Sequence, residues 1–178
     1  TILFAPAGFN LAEVSRMIEI ARAARGDFDA AFLSYGGRFE HLIEEAGFAL
    51  HRLEPRLTKE QIRDFYLIDR GEKFAPYLTQ EEMTPRIEAE RALMRELRPA
   101  CVVTGFCLTI PISTKAAGVP LVWVIGAPWI EPFFRAGLGT WPDMFDYPWL
   151  RWIPQRWLDR LGCRMMLWFM PLWLKPFS

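Results

Sequence analysis

The feature that most limits what this chain can fold into is a repeated switch of hydrophobic period along its first third. "TILFA" is a short apolar run closed by Pro6 and Gly8, the pattern of a buried strand. Leu11, Val14, Ile18 and Ala21 then recur at helical spacing, with Glu13, Arg16, Glu19 and Arg22 between them. Gly26 ends that helix, and "DFDAAFLSY" is a second strand. After the turn at Gly36 and Gly37, "RFEHLIEEAG" reads as a helix with a glycine stop and "FALHRL" as a third strand. A strand–helix–strand–helix–strand order predicts a doubly wound parallel sheet, an α/β fold of Rossmann-like type with its first strand central and helices on both faces.

The pattern continues less regularly. From Thr58 to Leu97 the chain is polar and helical, with Thr58 ahead of Glu60 and Gln61 and Thr79 ahead of Glu81 and Glu82 as two helix starts. "ACVVTGF" is a fourth strand, "TIPISTKAAG" a short helix and "VPLVWVIG" a fifth strand. Beyond it the composition shifts. Six of the eight tryptophans lie from Trp141 onward among recurring prolines, and "PQRWLDRLGCRMMLWFM" is the one long helical pattern there. This divides the chain into an α/β domain over 1–130 and an aromatic helical extension over 131–178.

Composition removes several classes of function. Lys plus Arg equals Asp plus Glu, and no basic cluster interleaves with glycine or aromatics in the first 120 residues, so nucleic acid is not the expected partner. Cys101, Cys107 and Cys163 form no CxxC pair, and no His/Cys/Asp/Glu spacing matches a zinc or calcium site, so no metal is expected. The thiols fit a reducing, cytoplasmic setting. Neither a signal peptide nor an uncharged apolar run of about 18 residues is present. Ser34 and Ser113 have no histidine or acid at a recognisable offset, "YGG" at Tyr35 lacks the flanks of a phosphate loop, and His41 and His51 read as surface or half-buried residues.

The order "ILFAPAGFNLAEVSRMIEIARAARG", "FLSYGGRFEHLIEEAGFALHRLEP", "LRPACVVTGFCLTIPISTKAAGVPLVWV" resembles the N-terminal half of GT-B-fold glycosyltransferases of the UDP-glycosyltransferase type. Gly26, Gly47, Arg98, Pro99, Gly118, Val119 and Pro120 stand at that family's landmarks, over roughly residues 1–130. The resemblance implies a two-domain enzyme whose N-terminal domain binds the acceptor and whose C-terminal domain binds a nucleotide-sugar. This chain would then be the acceptor half, inactive alone, with no cofactor of its own and the donor held by the missing domain. In such enzymes a first-loop histidine removes the acceptor proton and an aspartate after the fourth strand orients it. Their positions fall here at Leu11 and Gly105, so neither member of the dyad is present.

What remains in the first loop is Asn10 and Glu13. Their spacing suggests a capping box, Asn10 accepting from first-turn N–H groups and Glu13 returning a bond. The functional alternative has Glu13, or a water held by Asn10, take the proton. Gly8, Phe9, Asn10, Phe106, Trp129, Phe133, Phe134 and Trp141 are the candidates for the acceptor pocket or cleft, whose composition suits a hydrophobic or lipid acceptor. In the tail, Trp157, Leu161, Met165, Trp168 and Leu172 form an aromatic-apolar stripe beside Arg156, Arg160 and Arg164. Burial of the stripe by protein in an intact parent is the first expectation, with part of it exposed or paired with a second copy in the 178-residue chain alone, and a peripheral membrane contact through 156–170 is the second. A non-catalytic binding module of the same fold is the competing function.

Overall fold

A computed structural model of the chain describes residues 1–70, 72–73, 75–126, 130–141 and 147–174, with side chains through residue 169. Two compact units are present, Thr1–Val124 and Ile125–Ser178.

The first unit is built on five parallel strands, β1 (Ile2–Ala5), β2 (Ala30–Ser34), β3 (Ala49–Arg52), β4 (Cys101–Thr104) and β5 (Leu121–Trp123). Their order is β3-β2-β1-β4-β5, so β1 is central as the sequence predicts. Between the strands run α1 (Leu11–Ala24), α2 (Glu40–Glu45), α3 (Lys59–Asp69), α4 (Gln80–Leu97) and α5 (Ile110–Ala117). The side-chain period of two assigns the helices to faces. Leu3 and Ala5 of β1, with Ala31 and Leu33 of β2, pack against Leu93 and Met94 of α4 and Ile110 of α5. Phe4 and Phe32 point the other way, onto Val14, Met17, Ile18 and Ala21 of α1 and Ile43 of α2. Phe4 lies directly beside Phe32 in register, and their rings stack at 5.0 Å. Both rings are fully buried, each worth about 1.5–3 kcal/mol of transfer free energy.

Helices α3 and α4 start on reciprocal capping boxes, Thr58 with Gln61 and Thr79 with Glu82. Gln61 Nε2 donates to Glu82 at 2.5 Å, which ties the two helix starts together. A third cluster, Ala7, Phe9, Phe65 and Leu78, sits beneath them and joins the loop after β1 to α3.

The second unit holds α6 (Glu131–Arg135), a short 3-10 turn over Pro148–Trp152, and α7 (Gln155–Leu174). Helix α7 packs its Leu158, Gly162 and Cys163 side inward. Trp141 N–H donates to Asp159 at 2.8 Å, and Gly162 lets Thr140 and Trp141 approach within 3.7 Å of where a side chain would start. The tryptophan stripe is one residue, about 100°, around the helix from this packed side. It is therefore exposed in the 178-residue chain, as part of it is expected to be; Leu172 lies outside the residues whose side chains are described. Trp157 is 59% and Trp168 68% accessible, with Leu161 and Met165 between them and Arg156, Arg160 and Arg164 also exposed.

Candidate functional site

In a doubly wound sheet the connections leave the carboxyl ends of neighbouring strands in opposite directions where the strand order reverses, opening a crevice there. That place is between β1 and β4. Three loops meet around it: Pro6–Asn10 after β1, Tyr35–Phe39 after β2, and Gly105–Thr109 after β4.

The first two loops press backbone on backbone. Phe39 N–H donates to the Gly8 carbonyl at 3.1 Å. Gly37 has φ +138°, and a Cβ there would overlap the Gly8–Phe9 peptide, so both conformation and space require glycine. A Cβ on Gly8 would come 2.6 Å from Ser34 Oγ and 2.7 Å from the Gly36 carbonyl.

Glu13 joins the first loop to the third. Asn10 caps α1 as its spacing predicts, accepting from Ala12 N–H at 3.0 Å and Glu13 N–H at 3.3 Å. Glu13 does not complete the expected box. Its carboxylate instead accepts from Ala7 N–H at 2.6 Å and from the N–H of Phe106, across the strand switch. Burial raises its pKa, an effect that those two N–H groups and Arg16 offset only in part. The carboxylate fills the space in front of Gly105, where any Cβ would overlap it. Position 105 is where the resemblance would put an orienting aspartate; here the carboxylate in that space comes from α1.

Beside these loops lies a cavity of about 40 Å³, lined by Gly8, Phe9, Tyr35, Gly36, Phe106 and Thr109 together with Leu57, Phe65, Leu78, Arg86, Cys107 and Leu108. Its wall is aromatic. Phe9 packs on Phe65 at 5.5 Å, Phe65 on Tyr77 at 5.6 Å and Tyr77 on Phe106 at 5.5 Å, while Tyr66 donates to the Phe9 carbonyl at 2.9 Å. Of the eight cleft candidates, Gly8, Phe9 and Phe106 line this cavity and Asn10 caps the helix beside it. Phe133, Phe134 and Trp141 belong to the second unit, where Phe133 and Phe134 pack edge to face at 5.5 Å. Trp129 lies outside the described residues.

At the inner end is a polar group that sequence reasoning missed. Glu90 of α4 is 0% exposed and accepts from Tyr35 Oη at 2.9 Å, Thr109 Oγ1 and Ser113 Oγ. Burial raises its pKa against the lowering effect of those hydroxyls and of Arg86. Ser113 thus has an acid partner after all, 23 residues away in sequence. The Arg86 carbonyl lies at the same 2.9 Å from Tyr35 Oη, so the single hydroxyl proton is shared between it and Glu90. Burial pushes the Cys107 thiol far above its usual range, so it lines the cavity as a neutral group.

Solved structures of the same architecture are known. MurG of Acinetobacter baumannii superposes with TM-score 0.51 at 11% identity, over 70% of this chain and 33% of that one. UGT2 of Phytolacca americana, complexed with UDP-2-fluoroglucose and pterostilbene, gives 0.52 at 10% identity, over 76% and 33%. The glycosyltransferase SnogD from Streptomyces nogalater gives 0.50 at 16% identity, over 99% and 40%. The fold is of the GT-B glycosyltransferase type. No family model and no curated protein matches the sequence. The chain spans about a third of the length of these GT-B structures.

Proposed function

We propose that this chain is the acceptor-binding half of a nucleotide-sugar-dependent glycosyltransferase that moves a hexose onto a hydroxyl of a hydrophobic acceptor. The observation that carries the reading is the aromatic cavity at the β1/β4 switch point of a GT-B-type fold. In the reaction the acceptor oxygen attacks the anomeric carbon, the bond from that carbon to the nucleotide phosphate breaks with the nucleotide leaving as the diphosphate, and the hydroxyl proton passes to water or to a base supplied from outside this chain's first loop; a single displacement inverts the centre. The chain's part is to bind and orient. Phe9, Phe65 and Phe106 exclude water from the acceptor body, and Glu13 fixes the loops that present it. Both Glu13 ties are to backbone N–H groups, which favours a positioning role over proton removal. Leu11 and Gly105 supply neither base nor orienting acid.

The test is turnover by the intact protein with UDP-hexoses and apolar phenols or alcohols, read as UDP release matched to glycosylated product. Acceptor binding without product from any nucleotide-sugar would establish the non-catalytic binding module instead. A second reading, a glycolipid-type transferase working at a membrane surface, is favoured by the exposed Trp157–Trp168 stripe beside Arg156, Arg160 and Arg164. No described helix is long and apolar enough to cross a membrane.

A further inference from the structure

Arg86 is the unusual residue of the cavity. It is 2% exposed, yet no carboxylate among the described residues lies within ion-pair distance of its guanidinium. Nη1 donates to the Glu82 carbonyl at 3.1 Å, and the guanidinium carbon stands 5.5 Å from the centre of the Tyr35 ring. Nε is buried with no hydrogen-bond partner. Glu90, one turn further along α4, and Glu82 feel the guanidinium's charge without pairing with it, and the Glu90 carboxylate is hydrogen-bonded by the hydroxyls of Tyr35, Thr109 and Ser113. A buried guanidinium with an unused donor is costly unless an anion completes it. It borders a cavity whose other polar side chains are the Tyr35 and Thr109 hydroxyls and the Cys107 thiol, and whose walls are Phe9, Phe65, Leu78, Phe106 and Leu108. The volume, about 40 Å³, is small, which suits a carboxylate head and not a larger polyanion.

We infer that this cavity is a subsite for the carboxylate of an apolar monocarboxylic acid, held by Arg86 with its hydrocarbon or aryl part against the phenylalanines. The inference rests on the acceptor-side reading of the cleft and narrows it to acidic aglycones. Planar guanidinium–carboxylate pairing accounts for arginine here, where a lysine would present a single point charge.

The experiment is calorimetric titration of the 178-residue chain with benzoate and with benzamide, its uncharged isostere, at low and high salt. Benzoate is expected to bind on the order of tenfold tighter or more, as a charge-assisted hydrogen bond in a dry site requires. The preference should persist at high salt, because an interior pair is little screened. In Arg86→Met the two ligands should become equal, and Arg86→Lys should keep part of the preference. Equal binding in the native chain, a preference that collapses with salt, or one unchanged in Arg86→Met overturns the inference. The comparison of two ligands on the native chain needs no variant to fold. It is also independent of turnover: transfer to neutral alcohols with no benzoate preference sinks the subsite alone, and benzoate preference in a protein that transfers nothing sinks the transferase reading alone.

Discussion

Glu13 shows how one side chain can look like a cap and serve as a strut. Three residues after Asn10, it has the spacing of a capping-box partner, and spacing is all a sequence displays. Two tertiary N–H groups, from Ala7 and Phe106, compete for the same carboxylate and take it. The loss of a side chain at 105 is what admits it. Gly105→Ala should therefore destabilise the domain by about 1–3 kcal/mol, as overpacking does. Glu13→Ala should cost about 1–3 kcal/mol for the N–H groups left unpaired. The two should not add, because with the carboxylate gone the methyl at 105 has room. Denaturant melts of the two single variants and the double variant measure the coupling. Strict additivity would mean that Glu13 and Gly105 do not share the space described.

At the level of elements, the strands and the helices through α5 were legible because their apolar periods are clean and their ends carry Asn10, Thr58, Thr79 and Gly118 as caps. The function of α4 was not. Arg86 and Glu90 are spaced four apart on a helix rich in charge, a pattern that usually marks a solvated face. Only the packing of α4 against β1 and β2 and beside α5 turns both inward, and no local signal encodes that. Likewise the α7 pattern gives an amphipathic helix but not which side is covered. Leu158, Gly162 and Cys163 turn out to be the packed side. If the exposed stripe meets a bilayer, the intact protein should float with vesicles containing anionic lipid, less so at high salt, and lose that binding when Arg156, Arg160 and Arg164 are all changed to Gln. Absence of flotation, or flotation indifferent to salt and to the triple change, rules the bilayer reading out.

For the molecule as a whole, burial of ionisable groups sets how stability follows pH. The Glu90 carboxyl is raised by desolvation above the ordinary value of 4.5, so the folded chain binds that proton more tightly than the unfolded chain does. Such a group's contribution is complete below the unfolded value and is lost as pH rises through the folded one. Glu44 and Glu82, lowered by Arg52 and by the Thr79 N–H, act in the opposite sense as pH falls below the ordinary range. Between about pH 7 and about pH 5 the native chain should gain stability relative to Glu90→Gln, which lacks the titrating group. Urea midpoints at both values measure this, and a constant difference between the two proteins would contradict it.

The contact between Gly37 and the Gly8–Phe9 peptide has a further consequence at this scale. One bank of the crevice is main chain wedged against main chain, with Glu13 bolting it to the other. The opposite wall, Phe65, Tyr77 and Leu78, is presented by side chains of α3 and of the segment leading into α4. Backbone wedges tolerate no drift in sequence, whereas a side-chain wall can be resurfaced one residue at a time. New ligand preferences in this scaffold would be acquired by repainting the helical wall while the glycine bank stays fixed, so that recognition and architecture can change separately.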